Sequence, residues 1–137
     1  MPYQSAWIVP DRVWYNRNYG IMTTEEIKEG NVEAASAIRN GVAPVHFVID
    51  TSDLKNFPIN LKEMSDSTLF MKEANLGFTI YVTSNMMIRF ITQTLTQISK
   101  LDFRVVKTLD EGLQLLQILD QTLPPLEKPN LSDETTP

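Results

Sequence analysis

The chain has 137 residues, 42% of them hydrophobic and 21% charged, which is enough apolar material for one core and too little length for two comfortable domains. It contains no cysteine, which excludes a disulfide scaffold, thiolate-ligated metal and a cysteine nucleophile. A formal charge of −5 argues against general nucleic-acid binding, and no stretch is apolar enough to span a bilayer or serve as a secretory signal, so a cytoplasmic protein is expected.

In chain order, residues 5–9 and 13–19 read as two extended segments separated by Pro10 and Asp11, which suits a hairpin. Gly20 is expected to break the second strand. Thr23-Thr24-Glu25-Glu26 has capping-box spacing and starts a helix in which Ile27, Ala34, Ala35 and Ile38 recur at helical intervals. Gly41 stands where a left-handed C-terminal cap is expected, with Pro44 beyond it. Residues 45–49 form a short run rich in β-branched side chains, a buried strand closed by the turn-forming string Asp50-Thr51-Ser52-Asp53.

Leu61, Met64, Thr68 and Met71 mark one face of a helix predicted over residues 60–75. Phe78, Ile80 and Val82 then alternate with Thr79, Tyr81 and Thr83, the period of a strand. Ser84 or Asn85 can cap a following helix striped by Ile88, Ile91, Leu95 and Ile98, and residues 103–106 supply a last strand. Thr108 to Glu111 repeats the capping-box spacing ahead of a helix with Leu109, Leu113, Leu116 and Leu119 on its apolar face. Beyond Thr122, Pro124, Pro125 and Pro129 accompany Asn130, Ser132, Asp133 and Glu134. One domain over residues 1–122 and a disordered, acidic, Pro-rich tail over 123–137 are expected.

Two strands followed by alternating helices and strands imply an α/β fold, a mixed sheet of about five strands in which a hairpin precedes parallel strands joined by right-handed crossovers. Alternation within 78–83 and 14–19 places the helices mainly on one face. The other face would then carry Thr79, Tyr81 and Arg104, with His46 or its neighbour. Such a face can be solvated or can pair with a second copy in a homodimer.

The segments 13–20, 23–26, 45–54, 76–89 and 103–116 resemble the SpoIIAA-like group of the STAS superfamily, above all in V-H-F-V-I-D-T-S-D-L and L-G-F-T-I-Y-V-T-S-N-M-M-I-R-F. The resemblance implies a β–α superhelix with helices on one side, and the function of an anti-sigma-factor antagonist or a small carrier domain. In the antagonists a Ser or Thr of an Asp-Ser-Ser-Gly turn is phosphorylated, which controls binding to a kinase partner. Asp50, Thr51 and Ser52 resemble that turn, with Asp53 in place of its glycine. In a second register, slightly favoured, residues 48–54 are the ordinary strand upstream of the switch, and Phe57, Pro58 and Ile59 stand at the switch itself.

Few residues invite chemistry. His46 is the sole histidine and is read as a hydrogen-bonded strand residue, neither catalytic nor a metal ligand. Asp50 and Asp53 suit backbone hydrogen bonding, and no nucleophile elbow, phosphate-binding loop or dinucleotide fingerprint occurs, so no catalytic residue and no cofactor is assigned. Ser84, Asn85 and Arg89 lie where a helix follows a parallel strand, a place for an anion that ordinary capping explains as well. Met64, Met71, Met86 and Met87 can line an apolar pocket for a small ligand. Adjacent pairs such as Met86 and Met87 cannot both face one core, which suits a protein contact. The expected function is a non-catalytic regulatory or protein-interaction module with a protein partner. The second reading is a carrier of a small lipophilic or anionic ligand.

Overall fold

The computed structural model describes residues 3–56, 73–85, 89–90 and 103–129. Five strands, β1 (Tyr3–Val9), β2 (Val13–Ile21), β3 (Val45–Asn56), β4 (Leu76–Val82) and β5 (Phe103–Val106), form one sheet in chain order. β1 is antiparallel to β2, and every other neighbour is parallel. Helix α1 (Thr24–Asn40) joins β2 to β3, and helix α2 (Leu109–Leu119) follows β5.

The hairpin forms as the sequence predicts. The Arg12 N–H donates to the Val9 carbonyl at 3.0 Å, and Asp11 takes the left-handed conformation, φ 64°, that aspartate tolerates better than most residues. Gly20 does not end β2. It adopts φ 65° where the β2–β3 register slips, and the strand continues through Ile21 as a bulged ribbon. Continued pairing also carries β3 past its expected end. Arg17 lies opposite Asp50, Tyr19 opposite Asp53 and Ile21 opposite Asn56, so Asp50, Thr51 and Ser52 lie within a strand and not in a turn.

Helix α1 begins with the expected capping box: the Glu26 N–H donates to Thr23 Oγ1 at 3.3 Å, and the Thr23 N–H donates to Glu26 Oε1 at 2.9 Å. Its C-terminal Gly41 is extended, φ −86° and ψ −171°, and not left-handed. Glycine is needed there for space, because a Cβ would lie 2.7 Å from the Asp11 carbonyl oxygen and from Val45 Cγ2. Asn75 Nδ2 caps the helix end by donating to the Ile38 and Arg39 carbonyls at 3.2 Å each. Residues 74 and 75 form a turn, so the helix predicted over 60–75 does not reach its expected end, and residues 57–72 lie outside the described residues.

The two described helices occupy opposite faces of the sheet. Ala34, Ala35 and Ile38 of α1 pack on Trp14, Val45, Phe47 and Ile49. Leu116 of α2 packs with Tyr15, Val48, Ile80 and Val82 on the other side. α2, which follows the last strand, thus lies on the face opposite the crossover helix α1. The handedness rule binds helices that link parallel strands, as α1 does, whereas a helix after the last strand is free to fold back over the opposite face. Thr79, expected on an open face, is 1% exposed on the α1 side, and Tyr81 packs against the same cluster. Period-two alternation ranks two faces by polarity, and threonine and tyrosine carry enough carbon to be buried on the more polar one.

The boundary of the expected tail also moves. Leu123 is buried in the second cluster and Leu126 packs against it, together with Ile8 and Val9 of β1. Pro124 and Pro125 prevent a helix there without preventing an extended segment from placing leucines on the core. Residues 130–137 lie outside the described residues.

Candidate functional site

The parallel strands leave two ends of the sheet with different chemistry. At the carboxyl end, where α/β folds generally place ligands, β2 and β3 bring Tyr15 and Asp50 together. The buried Tyr15 hydroxyl donates to Asp50 Oδ2 at 2.7 Å, and Asp50 Oδ1 accepts the Ser52 N–H at 3.0 Å and the Ser52 hydroxyl at 2.5 Å. Burial, and then the bond to Asp50, push the Tyr15 pKa well above the usual tyrosine range, so the phenol keeps its proton and acts as donor. Both Asp50 oxygens are occupied and Ser52 lies at the surface. Arg17 Nη2 meets Asp53 Oδ2 at 2.8 Å, while the Arg17 guanidinium also donates to Gln4 Oε1 at 3.2 Å and covers the Tyr19 ring.

The neighbouring candidates lie at the same end. Thr51 is buried and its hydroxyl donates to the Val82 carbonyl at 2.5 Å, which ties β3 to the end of β4. Asp50 pairs with Val82, the last pair between β3 and β4, so Ser52 in the continuing β3 and Ser84 beyond the end of β4 each lie two residues past that pair. Ser84 and Asn85 are exposed, and the Asn85 N–H donates to Thr83 Oγ1 at 3.1 Å. Arg89 is half-buried and helical, its N–H donating to the Asn85 carbonyl at 3.0 Å as in the first turn of a helix. Met64, Met71, Met86 and Met87 lie outside the described residues, as do Phe57, Pro58 and Ile59.

The amino end carries His46 in a closed set of bonds. The Phe78 N–H donates to His46 Nδ1 at 2.9 Å, so Nδ1 bears no proton and Nε2 donates to Asp120 Oδ2 at 2.7 Å. Gly77 makes room for the ring, since a Cβ there would stand 2.5 Å from Nδ1. Arg12 Nη2 reaches the same Asp120 oxygen at 3.0 Å, and Thr122 donates to Oδ1 from its N–H at 3.0 Å and its hydroxyl at 2.5 Å. Burial holds His46 below the usual histidine range, with Asp120 opposing that effect. The Thr122 hydroxyl, followed by His46, draws Asp120 down to about 2. His46 is thus a satisfied strand histidine that fastens the segment after α2 to the sheet. Among the described residues no group of three or more His, Asp and Glu could hold a metal ion, and no helix is long and apolar enough to cross a membrane.

A third feature lies under α1, toward the carboxyl end. A crevice of about 30 Å³ is lined by Phe47, Ile49 and Ile27 together with Asn16, Asn18, Asn31 and Glu26, and Asn16 Nδ2 there donates to Ser5 Oγ at 3.0 Å. Sequence reading assigned Asp50 and Ser52 but missed Tyr15, Arg17 and the three asparagines. Their partners are far away in sequence, and only strand register brings them together.

No family model matches the sequence, and no curated protein matches it. Solved structures match the fold. The chain has a SpoIIAA-like fold. It is similar to the anti-sigma factor antagonist SpoIIAA in its unphosphorylated form, with a TM-score of 0.62 and 11% identity over 86% of this chain and 98% of that one. An uncharacterized DUF3478-family protein with a SpoIIAA-like fold from Shewanella loihica PV-4 aligns at a TM-score of 0.60 and 13% identity, covering 83% of this chain and 91% of its own. The Bacillus cell fate determinant SpoIIAA in its phosphorylated form aligns at 0.55 and 13%, covering 83% and 98%.

Proposed function

We propose that this chain is a non-catalytic, regulatory protein-interaction module that engages a protein partner through the carboxyl end of its sheet. The observation that carries the reading is the hydrogen-bonded platform of Tyr15, Asp50 and Ser52, rimmed by Arg17, Asp53, Ser84 and Asn85. At this end of the sheet Tyr15, Asp50 and the Ser52 hydroxyl are held in bonds to one another within the fold. The exposed rim is polar and two-signed, as suits a specific protein contact. Similarity in fold to an anti-sigma factor antagonist that occurs in phosphorylated and unphosphorylated forms supports the same reading.

If phosphate controls this module within the segment 50–53, Ser52 is the acceptor, because the Thr51 hydroxyl is buried against Val82. The test is crosslinking and mass spectrometry of the full chain in an extract of its source, followed by reconstitution from purified components. A saturable complex weakened by Arg17→Ala or Asp53→Ala supports the reading. Absence of any reconstituted complex, together with a turnover lost in Asp50→Asn, would overturn it in favour of an enzyme.

A further inference from the structure

Helices α1 and α2 cover opposite faces of the sheet, which leaves its two edge strands, β1 and β5, as the places where strand pairing can continue. The two edges are built differently. β5 is four residues long, and Arg104 within it turns its guanidinium inward over the Phe78 ring, 5.6 Å from the centroid. A short edge strand with an inward-turned charge resists the addition of another strand. β1 has seven residues, Tyr-Gln-Ser-Ala-Trp-Ile-Val, with no charge and no proline among them. Its one irregularity, the register shift between Trp7 and Val9, lies at the hairpin end and leaves residues 3–7 regularly paired with β2. Among the described residues, the only backbone hydrogen bond of β1 outside that pairing closes the hairpin at Val9. Both hydrophobic clusters also run out at this edge. Trp7 packs at the rim of the cluster under α1 and Ile8 at the rim of the cluster under α2, each only partly buried, so an added strand would continue both.

We propose that β1 is a self-association edge, against which β1 of a second copy of this chain pairs antiparallel, so that two five-stranded sheets become one continuous sheet across a two-fold axis. Symmetry and charge favour a second copy as the occupant. A strand laid antiparallel against its own copy presents the same edge to both sides, so a single contact uses both unguarded edges and leaves a guarded β5 at each end. Pairing β1 with β5 of another copy would leave a β1 unpaired at every step and grow into a filament, and the short, charged β5 opposes it. The formal charge of −5 sets copies of the chain against one another, and no side chain of β1 adds to that repulsion. The assignment is independent of the protein-interaction reading above, because it involves neither Asp50 nor Ser52.

The test combines light scattering with amide hydrogen exchange on the full chain at rising concentration. Alternate residues of an antiparallel strand turn their N–H toward a given neighbour, so a monomer protects only every second amide of β1. The expected result is a shift from 15.6 kDa to twice that mass, with consecutive amides over residues 4–8 becoming protected across the same concentration range. Ala6→Lys places a charge at the middle of the edge, where the half-buried position lets the ammonium reach water in the monomer, and should weaken the dimer about tenfold. Ala6→Ser should leave it unchanged. A monomer at every concentration, a dimer in which only alternate β1 amides are protected, or consecutive protection already complete in the monomer would overturn the assignment. So would an Ala6→Lys variant that folds and dimerises like the parent. Should Ala6→Lys fail to fold, the exchange pattern of the parent chain decides the question by itself.

Discussion

The two ends of the sheet use similar polar residues to opposite ends. At the amino end His46, Asp120, Arg12 and Thr122 close on one another, and the His46 side chain is 1% exposed. At the carboxyl end Tyr15 and Asp50 are equally buried, but their chain of bonds leads outward to an exposed Ser52 and a partly solvated Arg17–Asp53 pair. The first arrangement anchors the segment after α2 on the strands, with both ring nitrogens of His46 and both oxygens of Asp120 taken within the fold. The second supports a surface. What separates the two is therefore what the bonds fasten: at the amino end they tie the segment after α2 to the sheet, and at the carboxyl end they hold the exposed Ser52 and Asp53 of β3.

Substitutions can break this contrast. The largest loss is expected for His46→Ala, which strands the Phe78 N–H and the Asp120 carboxylate and leaves a cavity, costing about 2–5 kcal/mol in urea unfolding. A loss below about 1 kcal/mol would show that the amino end is not the anchor. Asp120→Ala should cost less, about 1–3 kcal/mol, because Arg12 and Thr122 can turn to water. Tyr15→Phe keeps the ring and removes one bond to Asp50, for an expected cost of about 1–2 kcal/mol. If Tyr15→Phe proved as damaging as His46→Ala, the two ends would be equally structural. Asp53→Ala should change stability by less than about 1 kcal/mol, and that change should vanish in high salt, as for an exposed ion pair.

Acid sharpens the same comparison. Burial lowers the His46 pKa below 6.5, so below that pH the unfolded chain takes up a proton that the folded one resists, and stability falls as pH drops. Asp120, held at about 2 against an ordinary 3.8, remains ionised in the fold after unfolded carboxylates have protonated, so stability falls again between those values. Both steps have the same sign and belong to the amino end. Urea midpoints measured from pH 8 to pH 3 should show the first step disappear in His46→Gln, and the acid-side decline shrink in Asp120→Asn.

Much of the architecture was legible in the sequence. The hairpin at Pro10 and Asp11, the capping box at Thr23 and the strands around Val48 and Ile80 follow from turn chemistry, capping and periodicity, all of which act over a few residues. The misreadings share one cause. Gly20 and the Asp50–Asp53 string look like strand ends, but pairing between β2 and β3 carries both strands onward through a bulge. Gly41 looks like a left-handed cap, but it is glycine because the hairpin's Asp11 lies against it. The leucines at 123 and 126 look like tail because their prolines are read locally, while the surface that receives them belongs to β1 and β2.

The candidate site shows the same division. Asp50 and Ser52 were visible as residue types, but their partner Tyr15 lies 35 positions away and no spacing announces it. By itself the sequence determined the order of elements, the α/β class, the cysteine-free acidic character of the chain and the absence of familiar catalytic motifs, because these depend on composition and short-range preference. Only the tertiary structure decided which face each described helix covers, how far β3 extends, that His46 is locked to Asp120, and that Asn16, Asn18 and Asn31 meet beneath α1. Each of these depends on strand register and on which surfaces meet, and those are set by contacts between residues far apart in the chain.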